Sequence, residues 1–362
     1  MSDPTIADVR TGLYRVPNEE ALEDATQSFD VLELVTAEVT LSDGTEGLGF
    51  TYTIGEGGAA MREFLETTLV PICLDDCPAA PRAARERLRA ATTFVGREGI
   101  SEPAIGAVDV ALWDALGRRR DAPLYELLGA ERRSVPAYQT HGGWLQFSVE
   151  ELVDHAEEAA DRGFAGVKMK VGRGHAEDAR RVAAVREVLP ERMDLMVDAN
   201  CAYSVPAARR LAAALAETPL AWLEEPLNKG DYAAHADLRD RVDVPIALGE
   251  NLFNPTQFKQ AVAHGAVDVL QPDVGRVGGI TPWLTVADLG AAWGLPVSPH
   301  YLEPIHVHLC VAYDNVPYME HHSTVLDSVS VAPLELQDGG FVPPDEPGHG
   351  IRFEGLERYA VR

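Results

Sequence analysis

The sequence is short of positive charge, and of lysine above all. Its 362 residues include 31 lysines and arginines but 57 aspartates and glutamates, which gives a formal net charge of −26. Only four of the cations are lysines. Because a surface that binds nucleic acid must be positive, this balance argues against a nucleic-acid partner, and it does not favour a membrane surface. The acidity is more typical of adaptation to high salt, or of a GC-rich genome, than of a device for binding substrate.

The sequence also has few cysteines and no long apolar run. Cys73, Cys77, Cys201 and Cys310 are too few and too scattered for a disulfide framework, and the first two make only half of a zinc pattern. We interpret all four as small buried residues or incidental thiols. No run reaches the ~18 apolar residues of a membrane span, and the start MSDPTIADVR is unlike a secretory signal. We therefore expect a cytoplasmic protein.

After about residue 135, short apolar runs alternate with longer stretches of helical periodicity. The runs are VPAYQT, GVKMKV, DLMVDAN, LAWLEEP, VPIALGE, VDVLQPD, LPVSPH and VPYMEHH. Strands that alternate with helices predict a parallel sheet, and eight is the number of strands that closes a barrel. Helices are predicted between the runs, for example over 149–161 and 207–217.

The first 128 residues have a different pattern. The run FDVLELVTAEVTLSDGTEGLGFTYT predicts two strands joined by a turn at Ser42, Asp43 and Gly44. Helical patterns follow at 59–69, 83–92 and 104–116, so we expect an α+β domain. The predicted parts are thus an α+β domain over 1–128, a barrel over 129–328, and a segment over 329–362, rich in glycine and proline, that returns over another part of the protein.

Each apolar run from the second onward ends in an ionisable residue. These residues are Lys170, Asp198, Glu224, Glu250, Asp273, His300 and Glu320. Their spacing is about one βα unit, and in a βα barrel the carboxyl ends of all strands converge on one face, where the chemistry takes place. We therefore expect these residues to share one site.

Three consecutive strands end in carboxylates, Asp198, Glu224 and Glu250. Three such groups at close range need a compensating cation, and hard oxygen ligands with open positions suit Mg²⁺. For any one of these acids, a solvated residue at the start of a helix is the more ordinary interpretation. Three acids at equal spacing favour the metal site.

Two of the four lysines lie in one apolar strand, GVKMKVG. Side chains at i and i+2 of a strand share a face, so Lys168 and Lys170 are predicted to point inward while Met169 packs outward. A surface strand whose lysines reach water is the ordinary alternative. Beside a cation site, however, the pKa of an inward lysine would be lowered, and such a lysine can act as a general base.

Asp273 and His300 end successive runs, which predicts that they lie side by side. A carboxylate that accepts the imidazole N–H fixes its tautomer and leaves the other nitrogen free to move a proton. A buried histidine is more often a satisfied core residue. The pairing with Asp273, opposite Lys170, favours a second acid/base group.

The ordered set of motifs resembles the mandelate racemase-like members of the enolase superfamily, over essentially the whole chain. The motifs are KMK at 168–170, DAN at 198–200, EEP at 224–226, GEN at 249–251, QPD at 271–273, VGGI at 277–280, SPH at 298–300 and the acid at 320. This resemblance implies a modified (β/α)7β TIM-type barrel with an N-terminal α+β capping domain, to which the C-terminal segment returns. It also implies a homo-oligomer, from dimer to octamer.

The resemblance further implies a shared first step, in which a base removes the proton α to a substrate carboxylate. The three carboxylates would hold Mg²⁺, for which Mn²⁺ is a possible substitute. Lys170 matches the lysine base, with Lys168 helping to neutralise the substrate carboxylate, and His300 with Asp273 matches the acid/base of the opposite face. Glu320 matches the acid that hydrogen-bonds the developing enediolate oxygen.

Two reactions of a small-molecule carboxylate remain open after that step. An acid-sugar dehydratase would expel a β-hydroxyl to give a 2-keto-3-deoxy acid, and we favour it by resemblance to sugar-acid dehydratases. A racemase or epimerase would reprotonate the opposite face. Cycloisomerases of this superfamily carry a second lysine, and none lies between 260 and 362 here. A non-catalytic protein that binds sugar acids with a metal is the third interpretation.

The resemblance also implies that Asn200 contacts substrate near the metal. His141 and Thr140, after the first barrel strand, are candidates for contact with a polyol, and polar loop residues are the equal alternative. Specificity is expected from two cap segments, 18–29 and 51–58. The first contains NEEALEDATQ, whose acids would repel a second carboxylate. The sequence therefore favours a monoacid sugar over a diacid.

Overall fold

The computed structural model describes residues 4–322 and 325–362, and its N-terminal part contains an antiparallel sheet. The strands, in sheet order, are β1 (Ile6–Glu23), β2 (Ser28–Leu41) and β3 (Glu46–Ile54). The predicted turn at Ser42, Asp43 and Gly44 joins β2 to β3. Gly44 has a φ of 86°, a conformation that glycine adopts without steric cost.

Helices follow this sheet along the chain. They are α1 (Gly58–Phe64), α2 (Val70–Leu74), α3 (Pro81–Ala91), α4 (Ser101–Arg120) and α5 (Leu124–Leu127), with a π-helical segment, Leu65–Leu69, between the first two. The three predicted helical stretches of the cap are confirmed. Helix α4 packs directly on the sheet, because a Cβ at Gly49 would lie 2.0 Å from the carbonyl oxygen of Ala107.

A parallel sheet forms from the apolar runs after residue 135. Its strands are β4 (Val135–Gln139), β5 (Gly166–Lys170), β6 (Asp194–Asp198), β7 (Trp222–Glu224), β8 (Ile246–Leu248), β9 (Val269–Leu270) and β10 (Met319–His321). Strands β4 to β9 pair in chain order, and β10 pairs with β4, so the sheet curves back on itself as a barrel. The seventh run contributes only a bridge between Val297 and Leu270, since Pro296 and Pro299 lack the N–H that a strand ladder needs.

Helices connect these strands and surround them. They are α6 (Val149–Arg162), α7 (His175–Val188), α8 (Val205–Ala214), α9 (Tyr232–Arg239), α10 (Pro255–Ala263), α11 (Ile280–Trp293), α12 (Glu303–Cys310) and α13 (Val325–Val329). Short 3₁₀ turns lie at His141–Gly143 and Leu356–Tyr359. The predicted helices over 149–161 and 207–217 correspond to α6 and α8. Within the described ranges, no helix combines the length and the apolar character that a membrane span needs.

The C-terminal residues contact both the barrel and the cap. Two short strands, β11 (Leu336–Gln337) and β12 (Gly340–Phe341), pair with each other, and β12 pairs antiparallel with β4. The chain then crosses to the cap, where the N–H of Val361 donates to the carbonyl of Leu13 at 2.8 Å. The C-terminal residues therefore link the start of the first barrel strand to the cap.

Candidate active site

The strand register aligns three of the predicted site residues. Lys170 on β5 pairs with Asp198 on β6, and Asp198 pairs with Glu224 on β7. Paired residues of adjacent parallel strands lie at the same height, with side chains on the same side of the sheet. The convergence that the spacing predicts is therefore present in the structure.

The carboxylates of Asp198, Glu224 and Glu250 form a compact trio. One oxygen of each lies within 4.8 Å of the others, and all three groups are buried. Burial, followed by the charge of Asp198, raises the pKa of Glu224 to about 7. Three buried carboxylates at this separation fit a divalent cation that takes oxygen ligands, and Mg²⁺ is the hard cation that such a set with open positions suits.

Both lysines of the KMK motif point inward, as predicted, and both are buried. Lys168 Nζ lies 2.8 Å from Glu224 Oε1 and 2.6 Å from Glu320 Oε1. Lys170 Nζ lies 2.5 Å from Asp198 Oδ2. The ordinary alternative of a surface strand is thus excluded.

The contacts of the two lysines with carboxylates oppose the lowering of the lysine pKa values that is predicted beside a cation. Burial does act to lower the pKa of Lys170, but the carboxylate of Asp198 outweighs it and the pKa is raised. Burial is likewise outweighed at Lys168, where Glu224 and Glu320 hold the pKa well above its ordinary value. The sequence prediction counted the cation but not the direct lysine–carboxylate contacts.

His300 and Asp273 lie side by side, as predicted. His300 Nδ1 is 2.7 Å from Asp273 Oδ2, and His300 Nε2 is 3.1 Å from Glu250 Oε2. Burial acts to lower the pKa of His300, but Glu250 and Asp273 outweigh it and raise the pKa to about 9. These two carboxylates favour the protonated imidazole, which is the form that can donate a proton.

A cap residue completes this dyad. The hydroxyl of Tyr52, on β3, donates to Asp273 Oδ2 at 2.5 Å and lies 3.5 Å from His300 Nδ1. The neighbouring Thr51 Oγ1 donates to the carbonyl of Gly275 at 2.7 Å. Two consecutive residues of one cap strand thus hold the loop that carries Asp273.

Glu320 is a buried acceptor shared by several elements. It accepts hydrogen bonds from Thr140 Oγ1 at 2.9 Å and from the N–H of Tyr301 at 2.8 Å, in addition to its contact with Lys168. Burial acts to raise its pKa, but Lys168 outweighs it and the pKa falls well below its ordinary value. A direct hydrogen bond to substrate, as the resemblance implies, would require Glu320 to exchange one of these partners.

A cavity of about 360 Å³ opens between cap and barrel above these groups. Lys170, Glu250 and His300 line it, so the two proton-moving groups face the same space as one carboxylate of the metal trio. Asn200 also lines the cavity, and its Oδ1 is buried without a hydrogen-bond partner among the described residues. The cavity is in the range that small-molecule sites occupy, and Asn200 is placed to contact what enters it.

Thr140 and His141, for which substrate contacts are predicted, do not line the cavity. Thr140 is fully buried and serves Glu320, and His141 lies in a 3₁₀ turn that begins there. Trp144, three residues further on, lines the cavity instead. Its ring centroid lies 5.1 Å from Lys170 Nζ, a cation–π contact that helps to position the amine.

Both cap segments reach the cavity, but most acids of the first segment do not. Glu19, Glu20 and Glu23 do not line the cavity. Asp24 does, and its Oδ1 accepts the N–H of Thr26 at 2.7 Å within its own turn. The three glutamates are therefore not placed to repel a second carboxylate of a substrate.

Family comparison agrees with this architecture. Residues 10–129 match the N-terminal domain of the mandelate racemase / muconate lactonizing enzyme family, and residues 151–357 match the enolase C-terminal domain-like family. The chain belongs to the mandelate racemase / muconate lactonizing enzyme family. The predicted family and fold class are thereby confirmed.

Relatives in this family include sugar-acid enzymes. The chain is 36% identical to the L-talarate/galactarate dehydratase of Salmonella typhimurium over 93% of this chain and 84% of that protein. A structure of that enzyme, with Mg and L-lyxarohydroxamate, has a TM-score of 0.94 and covers 100% of this chain and 94% of that chain, at 34% identity. The chain is 37% identical to the 3,6-anhydro-alpha-L-galactonate cycloisomerase of Streptomyces coelicolor, over 98% and 99% of the two chains. Cycloisomerases thus stand beside dehydratases among the relatives.

Within this family member, we expect Tyr52→Phe to lower kcat about tenfold with a smaller change in KM, since a hydrogen bond to a charged group contributes about 1.5–3 kcal/mol. The phenylalanine keeps the packing against Tyr301 but removes the hydrogen bond from the cap to Asp273 Oδ2, the oxygen that contacts His300. Steady-state kinetics would measure the split. Tyr318→Phe is the control, because it removes a tyrosine–aspartate hydrogen bond, to Asp194, outside the cavity. Equal effects of the two variants would contradict a positioning role for Tyr52.

Proposed function

We propose that this chain is a Mg²⁺-dependent acid-sugar dehydratase that converts a sugar acid to a 2-keto-3-deoxy acid. The observation that carries the proposal is that Lys170 and His300 line one cavity together with the metal-ligand residue Glu250. A base, an acid and a cation site are the groups that elimination of water β to a carboxylate requires. The dehydratases among the relatives support this choice of reaction.

In the first step, Lys170 Nζ takes the proton from the carbon next to the substrate carboxylate, and the electron pair of the broken C–H bond forms an enediolate. Mg²⁺, held by Asp198, Glu224 and Glu250, would supply electrostatic stabilisation of the charge on the carboxylate. The contact with Asp198 raises the pKa of Lys170. A cation beside Asp198 would weaken this effect, so Lys170 would lose its own proton more readily.

Lys168 and Glu320 stabilise the developing charge in this scheme. Lys168 is fully buried and has carboxylates on two sides, which keep it protonated. An ammonium group that is fixed by these contacts needs no rearrangement when negative charge forms at the metal trio. Glu320 keeps that ammonium in position through their 2.6 Å contact.

In the second step, His300 Nε2 donates its proton to the β-hydroxyl as the carbon–oxygen bond breaks. The enediolate electrons form the new double bond, and water and an enol leave, the enol becoming the 2-keto acid. Asp273 holds Nδ1 of His300 at 2.7 Å, so Nε2, which lies 3.1 Å from Glu250, is the nitrogen that donates to substrate in this scheme. The raised pKa of His300, about 9, suits an acid at neutral pH.

Epimerisation is the second candidate, since Lys170 and His300 come from well-separated positions of the barrel and could act on two faces of one carbon. A structural relative from Streptomyces coelicolor is described as a racemase with bound magnesium, at 37% identity and a TM-score of 0.94. A metal-dependent protein that only binds sugar acids is the non-enzymatic candidate.

A substrate screen separates these candidates. Aldonic and aldaric acids would be incubated with Mg²⁺ at low and at molar salt, with chemical detection of the 2-keto acid. The proposal expects product from at least one acid, and none after EDTA treatment. If deuterium from D₂O enters the α-carbon but no keto acid forms, the reaction is epimerisation and not dehydration. If an acid binds but neither deuterium exchange nor keto acid is detected, only the sugar-acid-binding function remains.

We further propose a cytoplasmic homo-oligomer without nucleic-acid or membrane partners. The net charge of −26 supports the absence of a nucleic-acid partner, and the four free cysteines suit a reducing compartment. Light scattering during size-exclusion chromatography would measure the mass, and a monomer at micromolar concentration would contradict the assembly.

A further inference from the structure

Three of the four lysines lie at the active site, although this chain otherwise uses arginine. Lys168 and Lys170 belong to the catalytic scheme, and Lys259 is exposed on α10. Lys229 follows β7 and lines the cavity, as does Arg276 after β9. Two cations thus face the cavity in addition to the catalytic pair, in a protein with a net charge of −26.

The two cations converge on one neutral acceptor. Lys229 Nζ and Arg276 Nη2 each donate to Asn251 Oδ1 at 2.9 Å. The amide of Asn251 is oriented by its other end, where Nδ2 donates to Glu225 Oε2 at 2.7 Å and to Glu250 Oε1 at 3.0 Å. The two carboxylates therefore orient the Asn251 amide, and the amide oxygen accepts a hydrogen bond from each cation.

Neither cation has a direct counter-charge in the described part of the chain. Residues 4–322 and 325–362 place no carboxylate within ion-pair distance of Lys229 or Arg276. Arg276 Nε is buried without a hydrogen-bond partner there, and the guanidinium lies 5.3 Å from the ring centroid of Phe253. Two like charges around one amide oxygen repel each other, and an anion between them would relieve this repulsion.

We infer that Lys229 and Arg276 form a subsite for a second carboxylate, so that the preferred substrates are sugar diacids. This inference rests on the proposed dehydratase function. A carboxylate has two oxygens, and arginine and lysine together can donate to both. The cap end of the cavity offers neutral groups, Asn18 and Gln27 among them, that can hydrogen-bond the hydroxyls between the two carboxylates.

The test compares acids that differ only at the far end, such as galactarate with galactonate and glucarate with gluconate, in the presence of Mg²⁺. We expect kcat/KM of the wild-type protein to be higher for the diacid of each pair. Lys229→Met should lower the diacid-to-monoacid ratio roughly tenfold, as expected for the loss of one charge-assisted hydrogen bond. Lys229 is exposed, so this change does not threaten folding.

Three further variants test the subsite more closely. Lys259→Met makes the same change of charge outside the cavity and should leave the ratio unchanged. Arg276→Gln should lower the ratio further, and Arg276→Lys should restore part of it. Equal turnover of diacids and monoacids, with a ratio that Lys229→Met does not alter, would overturn the subsite and leave the dehydratase proposal standing. Absence of turnover for every acid would overturn the dehydratase proposal itself.

Discussion

Replacement of Lys170 by methionine is expected to lower kcat for dehydration by about 10²–10⁴-fold, the usual contribution of a general base. Methionine keeps the length and the apolar stem of the side chain, so it preserves packing against Trp144 while it removes the amine that faces the cavity. Initial rates of keto-acid formation at saturating Mg²⁺ would measure the loss.

Lys259→Met is the matched control for this variant, since it removes a lysine from the exposed face of α10. A Lys170→Met protein that turns over at the wild-type rate would contradict the assignment of the base. A Mg²⁺-dependent rise in Tm that persists in the variant would show that its low rate does not come from a collapsed metal site.

Glu224→Gln is expected to abolish the stabilisation of the fold by Mg²⁺. A ligand present at 100 times its Kd adds about 2.7 kcal/mol to the free energy of unfolding. The variant loses this gain, because one of the three carboxylates that would hold the cation has become an amide. The reaction should slow roughly 10³-fold, since bound metal contributes several kcal/mol to charge stabilisation. Calorimetry with Mg²⁺ and with EDTA would measure the first effect, and initial rates the second.

Glu225→Gln is the control for the metal ligand. Glu225 is also buried, but its carboxylate contacts Cys201 Sγ and Asn251 Nδ2 rather than joining the trio. The wild-type protein and Glu225→Gln should both gain stability with Mg²⁺. An equal gain in Glu224→Gln would remove Glu224 from the ligand set.

The metal trio and the catalytic pairs could be predicted because they follow from strand periodicity and parallel register. Side chains of a strand alternate with a period of two, which fixes the inward direction of Lys168 and Lys170. The ends of consecutive parallel strands meet on one face, which brings Asp198 to Glu224 and Asp273 to His300. These relations need only the positions of residues along the chain.

Other features depend on contacts that carry no such periodicity. Tyr52 lies 221 residues from Asp273 and has the pattern of an ordinary strand aromatic, so only the packing of cap on barrel reveals its hydrogen bond. The turn after β4 turns Trp144, rather than His141, toward the cavity. The sign of the lysine pKa shifts depends on atomic distances to carboxylates, which strand spacing does not determine.

The hydrogen bonds from β3 to the loop after β9 limit how caps can be exchanged between relatives. Because Thr51 and Tyr52 bond to Gly275 and Asp273, the cap supplies part of the proton-transfer machinery as well as the substrate contacts. A chimera that takes its cap from another family member would inherit whatever that cap offers to the dyad. A chimera with a new substrate range would therefore stay active only if residues 51 and 52 of its cap still form these hydrogen bonds with the barrel loop.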